Sequence, residues 1–254
     1  AIRSGVLADA LARRGWECVC ITQAESLEFI KDLNRFKSIE PSVFESGQLL
    51  CDLLIIDHYG LDADYETKMR RFAKQIWVID DLANRHHDCD LLLDQTYGRE
   101  VKAYKNLVPD QCKILTGSDY VLLRQDFIKL RPKALEKRNK TKEIERILVC
   151  MGGSDPKNYT QKALEMIEAS DFKGVIDVVL GFSAEKKSTI ENYSKNLVNQ
   201  CFFYHNAKMP SLIFKADLAI GASGSGLWER YCLGLPSVLM TTADNQAAIY
   251  SALQ

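Results

Sequence analysis

The sequence predicts an α/β protein made of two Rossmann-like domains facing one another across a cleft. Three observations predict it. Short continuous apolar runs alternate with amphipathic segments along the chain, the pattern of parallel strands buried on both faces and joined by helices. Two of these runs open directly into glycine-rich loops, Met151-Gly152-Gly153-Ser154-Asp155 and Gly221-Ala222-Ser223-Gly224-Ser225-Gly226. Between the halves lies a basic polar stretch, 131–143, with no convincing apolar face. It reads as an interdomain connector or an exposed helix leading into one. The expected domains are therefore 1–135 and 144–254.

The 254 residues are 46% hydrophobic and 26% charged, with a formal net charge of −1. They suffice for two cores of ordinary size. Such a balance gives no electrostatic footprint for nucleic acid or for an anionic membrane surface. No apolar run reaches the roughly 18 to 20 residues of a membrane helix, and no signal peptide is visible, so a cytoplasmic protein is expected. Eight cysteines occur without a CxxC pair, several beside strand-like runs. They read as reduced, buried thiols, and with four scattered histidines they offer no metal-ligand spacing. No metal and no cofactor are expected.

In chain order, Ile2, Val6, Leu7, Ala10 and Leu11 recur at helical spacing and stop before Gly15, a helix-closing residue. A strand over 16–22, helical segments over 25–33 and 42–50, and a buried strand over 51–57 follow. A helix over 62–74 precedes strands at 75–79, 90–93 and 113–115. The strand ends carry Asp57-His58-Tyr59-Gly60, Asp80-Asp81, Asp94-Gln95 and Thr116-Gly117. In an open α/β sheet the carboxyl edge is where ligands bind, although turn-forming Asp and Gly account for some of these residues. Asp57 reads as a loop-orienting group, His86 and His87 as surface or loop histidines, and Trp16, Trp77 and Trp228 as packing residues.

The second half repeats the alternation. Strands fall at 146–151, 175–180, 201–204, 216–220 and 236–240, with helices over 157–169, 184–195 and 227–233. A further helix ends near Lys215, and a last helical pattern starts at Asp244-Asn245-Gln246. Pro156 suits the first turn of the helix over 157–169, with Ser154 or Asp155 as its cap. In the Gly221–Glu229 stretch, glycines allow close backbone approach to a ligand, and the first helical turn favours an anion. Ser223 and Ser225 add hydroxyl donors, and Glu229 can accept from vicinal hydroxyls such as those of a ribose. A flexible Gly/Ser connection explains the loop alone equally well.

The second half resembles the nucleotide-binding domain of GT-B enzymes of the MurG-like glycosyltransferase type. The resemblance implies that Gly152, Gly153 and Ser154 form the first phosphate-side loop and that the backbone around Met209 holds uracil. It also implies that Ser223, Gly224 and Ser225 face the diphosphate and that Glu229 grips the ribose. The whole chain resembles, more specifically, the UDP-sugar hydrolases of pseudaminic acid biosynthesis, which act on UDP-2,4-diacetamido-2,4,6-trideoxy-β-L-altropyranose. The matching segments are Leu54–Gly60, Ile79-Asp80-Asp81, His87–Leu93, Cys150–Asp155 and Asp244-Asn245-Gln246. That family carries a Gly-His-x-x-Arg motif, of which Ala1-Ile2-Arg3 matches the x-x-Arg part, so the catalytic histidine is expected immediately before Ala1. The resemblance implies metal-free, inverting attack of water at the anomeric carbon, with Tyr59 and Asn245 as catalytic groups and Arg3 and Gln246 as substrate contacts. The partner is then a UDP-sugar. A glycosyltransferase using a UDP-sugar donor and a non-catalytic nucleotide-sugar-binding protein remain open.

Overall fold

The computed structural model describes residues 2–23, 34–47, 49–153, 155–181, 187–195, 197–205 and 207–241. The helices expected over 25–33 and from Asp244 lie outside the described residues. The chain divides into two compact units, Ala1–Leu122 and Leu123–Gln254.

In the first unit, helix α1 (Ile2–Ala12) is closed by Gly15 at φ +88°, a conformation that costs a residue without Cβ little. Strands β1 (Val19–Ile21) and β2 (Lys37–Ile39) pair in parallel, and the short helix α2 (Pro41–Glu45) begins on its proline. Strand β3 (Cys51–Ile56) leads to α3 (Ala63–Met69), whose cap residue Asp62 accepts from the Asp64 N–H. Strands β4 (Ala73–Ile79), β5 (Leu91–Asp94) and β6 (Lys113–Thr116) complete a sheet of order β3-β4-β5-β6, parallel throughout among the described residues. Ile56, Ile76, Val78 and Leu92 pack with Phe44, Met69 and Tyr104 into one core. Because all four strands run the same way, their ends at Asp57, Asp80, Gln95 and Gly117 share one edge.

The second unit opens with α4 (Gln125–Lys140), followed by β7 (Arg146–Cys150), α5 (Tyr159–Glu168), β8 (Val175–Val179) and α6 (Lys187–Ser194). Then come β9 (Gln200–Tyr204), α7 (Met209–Lys215), β10 (Leu218–Ala222), α8 (Gly226–Cys232) and β11 (Ser237–Met240). The sheet order is β11-β10-β7-β8-β9, all parallel among the described residues. One face is covered by Ala163, Leu164, Ile167 and Ile190, the other by Phe127, Ala134, Leu212, Ile213 and Leu233. Two covered faces explain why these strands read as unbroken apolar runs.

The units part at Leu122, earlier than the polar stretch 131–143 suggests. Most of that stretch is helix α4, which buries Phe127 and Ala134 completely. Lys133 and Lys140 stay exposed, as a solvated connector would have them, but other basic side chains of the stretch are engaged. Arg138 donates to the Ile213 and Ala216 carbonyls at 2.6 and 2.5 Å, and Lys137 to the Lys215 carbonyl at 2.8 Å. Arg131 donates to the Cys232 carbonyl. These are the open carbonyls at the ends of α7 and α8, where positive charge is favoured.

Candidate active site

In the second unit, the strand order reverses between β7 and β10: β8 and β9 are added outward from β7 on one side, and β11 outward from β10 on the other. Ligands of open α/β sheets bind at the carboxyl ends of the strands flanking such a point. Both glycine-rich loops lie there. Gly221 is paired in register with Cys150, so the loop after β7 and the loop after β10 are neighbours.

The two loops differ in build. Gly152 has φ +91°, and both Gly152 and Gly153 are exposed, with nothing within 4 Å of the position of a Cβ. A Cβ on Gly181 would lie 2.1 Å from the Gly153 carbonyl oxygen, so the bare Gly181 is what lets this loop settle over the end of β8. Asp155 caps α5 by accepting from the Tyr159 and Thr160 N–H groups at 2.7 and 2.8 Å. Pro156 sits in the turn before that helix rather than in its first turn, because Asn158 intervenes at φ 55°.

In the other loop Gly221 and Ala222 belong to strand β10, leaving Ser223–Ser225 as the turn. Ser223 is fully buried and its N–H reaches the Met240 carbonyl at 3.3 Å, so of the two serines only Ser225 is exposed. Glu229, in the first turn of α8, pairs with Arg124 at 2.9 Å. Arg230, one residue on, is buried beneath the loop and donates to the Ala222 carbonyl at 2.8 Å and to Ser237 Oγ at 3.2 Å. Met209 is the first residue of α7 and packs, partly buried, on the core.

The first unit presents a charged cluster. Arg3, on α1, donates to Asp57 Oδ1 through Nε and Nη2 at 3.0 and 2.8 Å, and to Asp81 Oδ2 through Nη1 at 2.8 Å. Ser4 Oγ donates to the other oxygen of Asp57 at 2.5 Å, and the Tyr59 hydroxyl donates to Asp81 Oδ2 at 3.1 Å. Burial alone would raise the Asp57 pKa, but the bonds from Arg3 and its charge pull it down to about 2. Burial also opposes charge on Arg3, and the two carboxylates outweigh it, raising its pKa. The Tyr59 pKa is raised, first by burial and then by the charge and hydrogen bond of Asp81. At neutral pH this is a neutral phenol, oriented by an ionised network and still 52% exposed.

Asp80 and Asp94, on the same edge, are fully buried. The Tyr104 hydroxyl lies 2.9 Å from an oxygen of each, while Arg85 and Arg99 pair with them at 2.7 Å. Burial would raise the Asp80 pKa, but the Ala83 N–H, Tyr104 and Arg85 lower it. These carboxylates organise the loops after β4 and β5 and are not open to a ligand. Gln95 does likewise, accepting from the Leu122 N–H at 3.1 Å. His58 accepts from the Gly60 N–H at 3.0 Å and shapes its turn. His87 lies in the loop before β5 but not at the surface: its side chain is buried and its Nδ1 lies 2.8 Å from the buried Glu66 carboxylate. Ser154, Asn245 and Gln246 lie outside the described residues.

No protein-family model matches the chain. It is 30% identical over 227 residues to an uncharacterized protein of Methanocaldococcus jannaschii, covering 86% of this chain and 44% of that protein. It is 30% identical over 184 residues to the UDP-2,4-diacetamido-2,4,6-trideoxy-β-L-altropyranose hydrolase of Campylobacter jejuni, covering 72% of this chain and 63% of the hydrolase. To the Bacillus subtilis spore coat polysaccharide biosynthesis protein SpsG it is 25% identical over 237 residues, covering 92% and 65%. The chain thus spans between 44% and 65% of these relatives' lengths. The crystal structure of Acinetobacter baumannii MurG matches with a TM-score of 0.66 at 13% identity, over 99% of this chain and 79% of MurG. The fold is GT-B.

Within this GT-B chain, the structure brings Gly152 and Gly153 beside Ser223–Ser225, and Arg3 beside Tyr59. Sequence reasoning missed Arg124, Arg230, Ser4 and Tyr104. The partners of Arg124 and Ser4 lie 105 and 53 positions away, which no local pattern signals. Arg230 had the clearest local cue, a charged residue within the Leu227–Leu233 pattern that buries Leu227, Trp228 and Cys232.

Proposed function

We propose that the protein hydrolyses a UDP-sugar, UDP-2,4-diacetamido-2,4,6-trideoxy-β-L-altropyranose, to UDP and the free sugar. The observation that carries this reading is the 30% identity, over 184 residues spread across both units, to the Campylobacter hydrolase. The adjacency of the two glycine loops at the switch point supports it from the geometry. In this reading the second unit holds the leaving group: Gly152, Gly153 and Ser154 with Gly224 and Ser225 at the diphosphate, the buried Ser223 lying behind the turn rather than on the ligand, the backbone at Met209 at uracil, and Glu229 at ribose. The first unit supplies Tyr59 and Arg3 to the sugar, with Asn245 and Gln246 completing the contacts.

The chemistry asks little of the protein beyond orientation and charge stabilisation. Water attacks the anomeric carbon, a base takes its proton, and the carbon–oxygen bond breaks with its electron pair leaving on the β-phosphate oxygen. Tyr59 stays protonated and donates to Asp81, which fixes its hydroxyl oxygen as an acceptor for a sugar N–H or O–H. The test is incubation with the UDP-sugar alone in 18O water. Release of UDP with label in the sugar is expected. Label in UDP would refute attack at carbon. Product formed only after an acceptor is added would favour a glycosyltransferase, and binding without turnover a non-catalytic protein.

A further inference from the structure

Glu229 does not stand by itself. Its Oε1 accepts from Arg124 Nη2 at 2.9 Å, and its side chain is only 16% exposed. Arg124 is held in turn. It is the cap residue of α4, and its guanidinium lies over the ring of Phe127, 5.2 Å from the centroid. Phe127 is wholly buried and the Arg124 Nε is sealed from solvent. The two residues are 105 positions apart in the chain, so this pairing is made by tertiary structure alone. A mostly buried carboxylate is costly unless a charged partner supports it. A guanidinium donating to one of its oxygens also fixes the plane of the group.

We propose that Arg124 is the positioning residue for ribose recognition: it fixes the Glu229 carboxylate in the orientation that reads the vicinal hydroxyls of a nucleoside diphosphate. The inference rests on the UDP reading above and assigns to α4, the first element of the second unit, a part in the nucleotide site. Bidentate acceptance from a 2′,3′-diol depends on the direction of the carboxylate, so a correct but freely rotating Glu229 would lose selectivity before it lost affinity for phosphate.

The experiment is calorimetric titration of the full chain with UDP and with 2′-deoxy-UDP. Wild type is expected to prefer UDP by about ten-fold, the order of one charge-assisted hydrogen bond. Glu229→Gln should abolish that preference. Arg124→Ala should bring the ratio close to unity while changing 2′-deoxy-UDP binding little, and Arg124→Lys should keep part of it. The double variant should be no less selective than Glu229→Gln. If Glu229→Gln loses the preference while Arg124→Ala retains it, this inference fails and the UDP reading stands. Equal weakening of both nucleotides by Arg124→Ala would make Arg124 merely structural and overturns the proposal. Wild type that binds neither nucleotide overturns both readings.

Discussion

Asp57 shows how one residue links the fold of the first unit to its chemistry. It ends β3, ties that strand to α1 through Arg3 and Ser4, and leaves Arg3 able to reach Asp81 and so fix Tyr59. Its folded pKa of about 2 lies below its ordinary 3.8. A depressed carboxylate pKa contributes stability that is fully present above the unfolded value and is lost as pH falls through the folded one. The window is therefore about pH 4 down to about pH 2, and the contribution at neutral pH is about 2 kcal/mol. Asp57→Asn should cost roughly that amount at neutral pH in urea unfolding. Its deficit relative to wild type should shrink as pH falls through the window. A deficit that is the same at both ends would show that the charge of Asp57 is not what matters. An orienting part for Asp57 is suggested by its place just after a strand, but Arg3 as its partner is not legible, since 54 residues separate them.

At the scale of elements, the strands were the readable part. A strand covered on both faces, such as Arg146–Cys150, is a short apolar run whatever its surroundings. Helix α4 was readable only as one of two alternatives, connector or exposed helix, because much of what holds it lies outside itself. It contains Pro132 and buries only Phe127 and Ala134 fully, and its Arg131, Lys137 and Arg138 serve carbonyls of two other helices. The glycine loop was readable as a loop but not in the role of each glycine. A Cβ on Gly221 would fall 2.6 Å from the Cys150 carbonyl oxygen and 3.0 Å from Arg230 Nη1. A strand backbone cannot yield to that contact, so Gly221 serves the β7–β10 pairing and the buried arginine. At Gly226 the nearest atom would be Arg230 Nη1 at 3.6 Å, an ordinary contact. Gly221→Ala should therefore destabilise the second unit by about 1–3 kcal/mol, and Gly226→Ala by no more than about 0.5 kcal/mol. Urea melts of both variants check this, and equal costs would mean that the β10 contact is not what demands glycine.

For the molecule as a whole, the proposed division of labour rests on which strand ends carry which chemistry. The second unit has exposed residues at Gly152–Gly153, Ser225 at its loop surface and the largely buried carboxylate of Glu229. The first unit has Tyr59 within an ionised network and no comparable glycine-rich loop after its described strands. Two separate cores under two separate sheets mean that each set of loops is held by its own unit. A ligand bound to native protein stabilises it by mass action, by about 2.7 kcal/mol at a free concentration about 100 times its Kd. It does so first in the segments it touches, which amide exchange resolves. UDP alone should thus slow exchange around 151–153 and 223–229 and leave 57–81 unchanged. The intact UDP-sugar, trapped by rapid quench, should slow exchange at Tyr59 and Asp81 as well. Protection of the Tyr59 segment by UDP alone would place the diphosphate against the first unit and reverse the assignment. Without any protection at 223–229, the Gly/Ser turn after β10 would be a connection and not a phosphate loop.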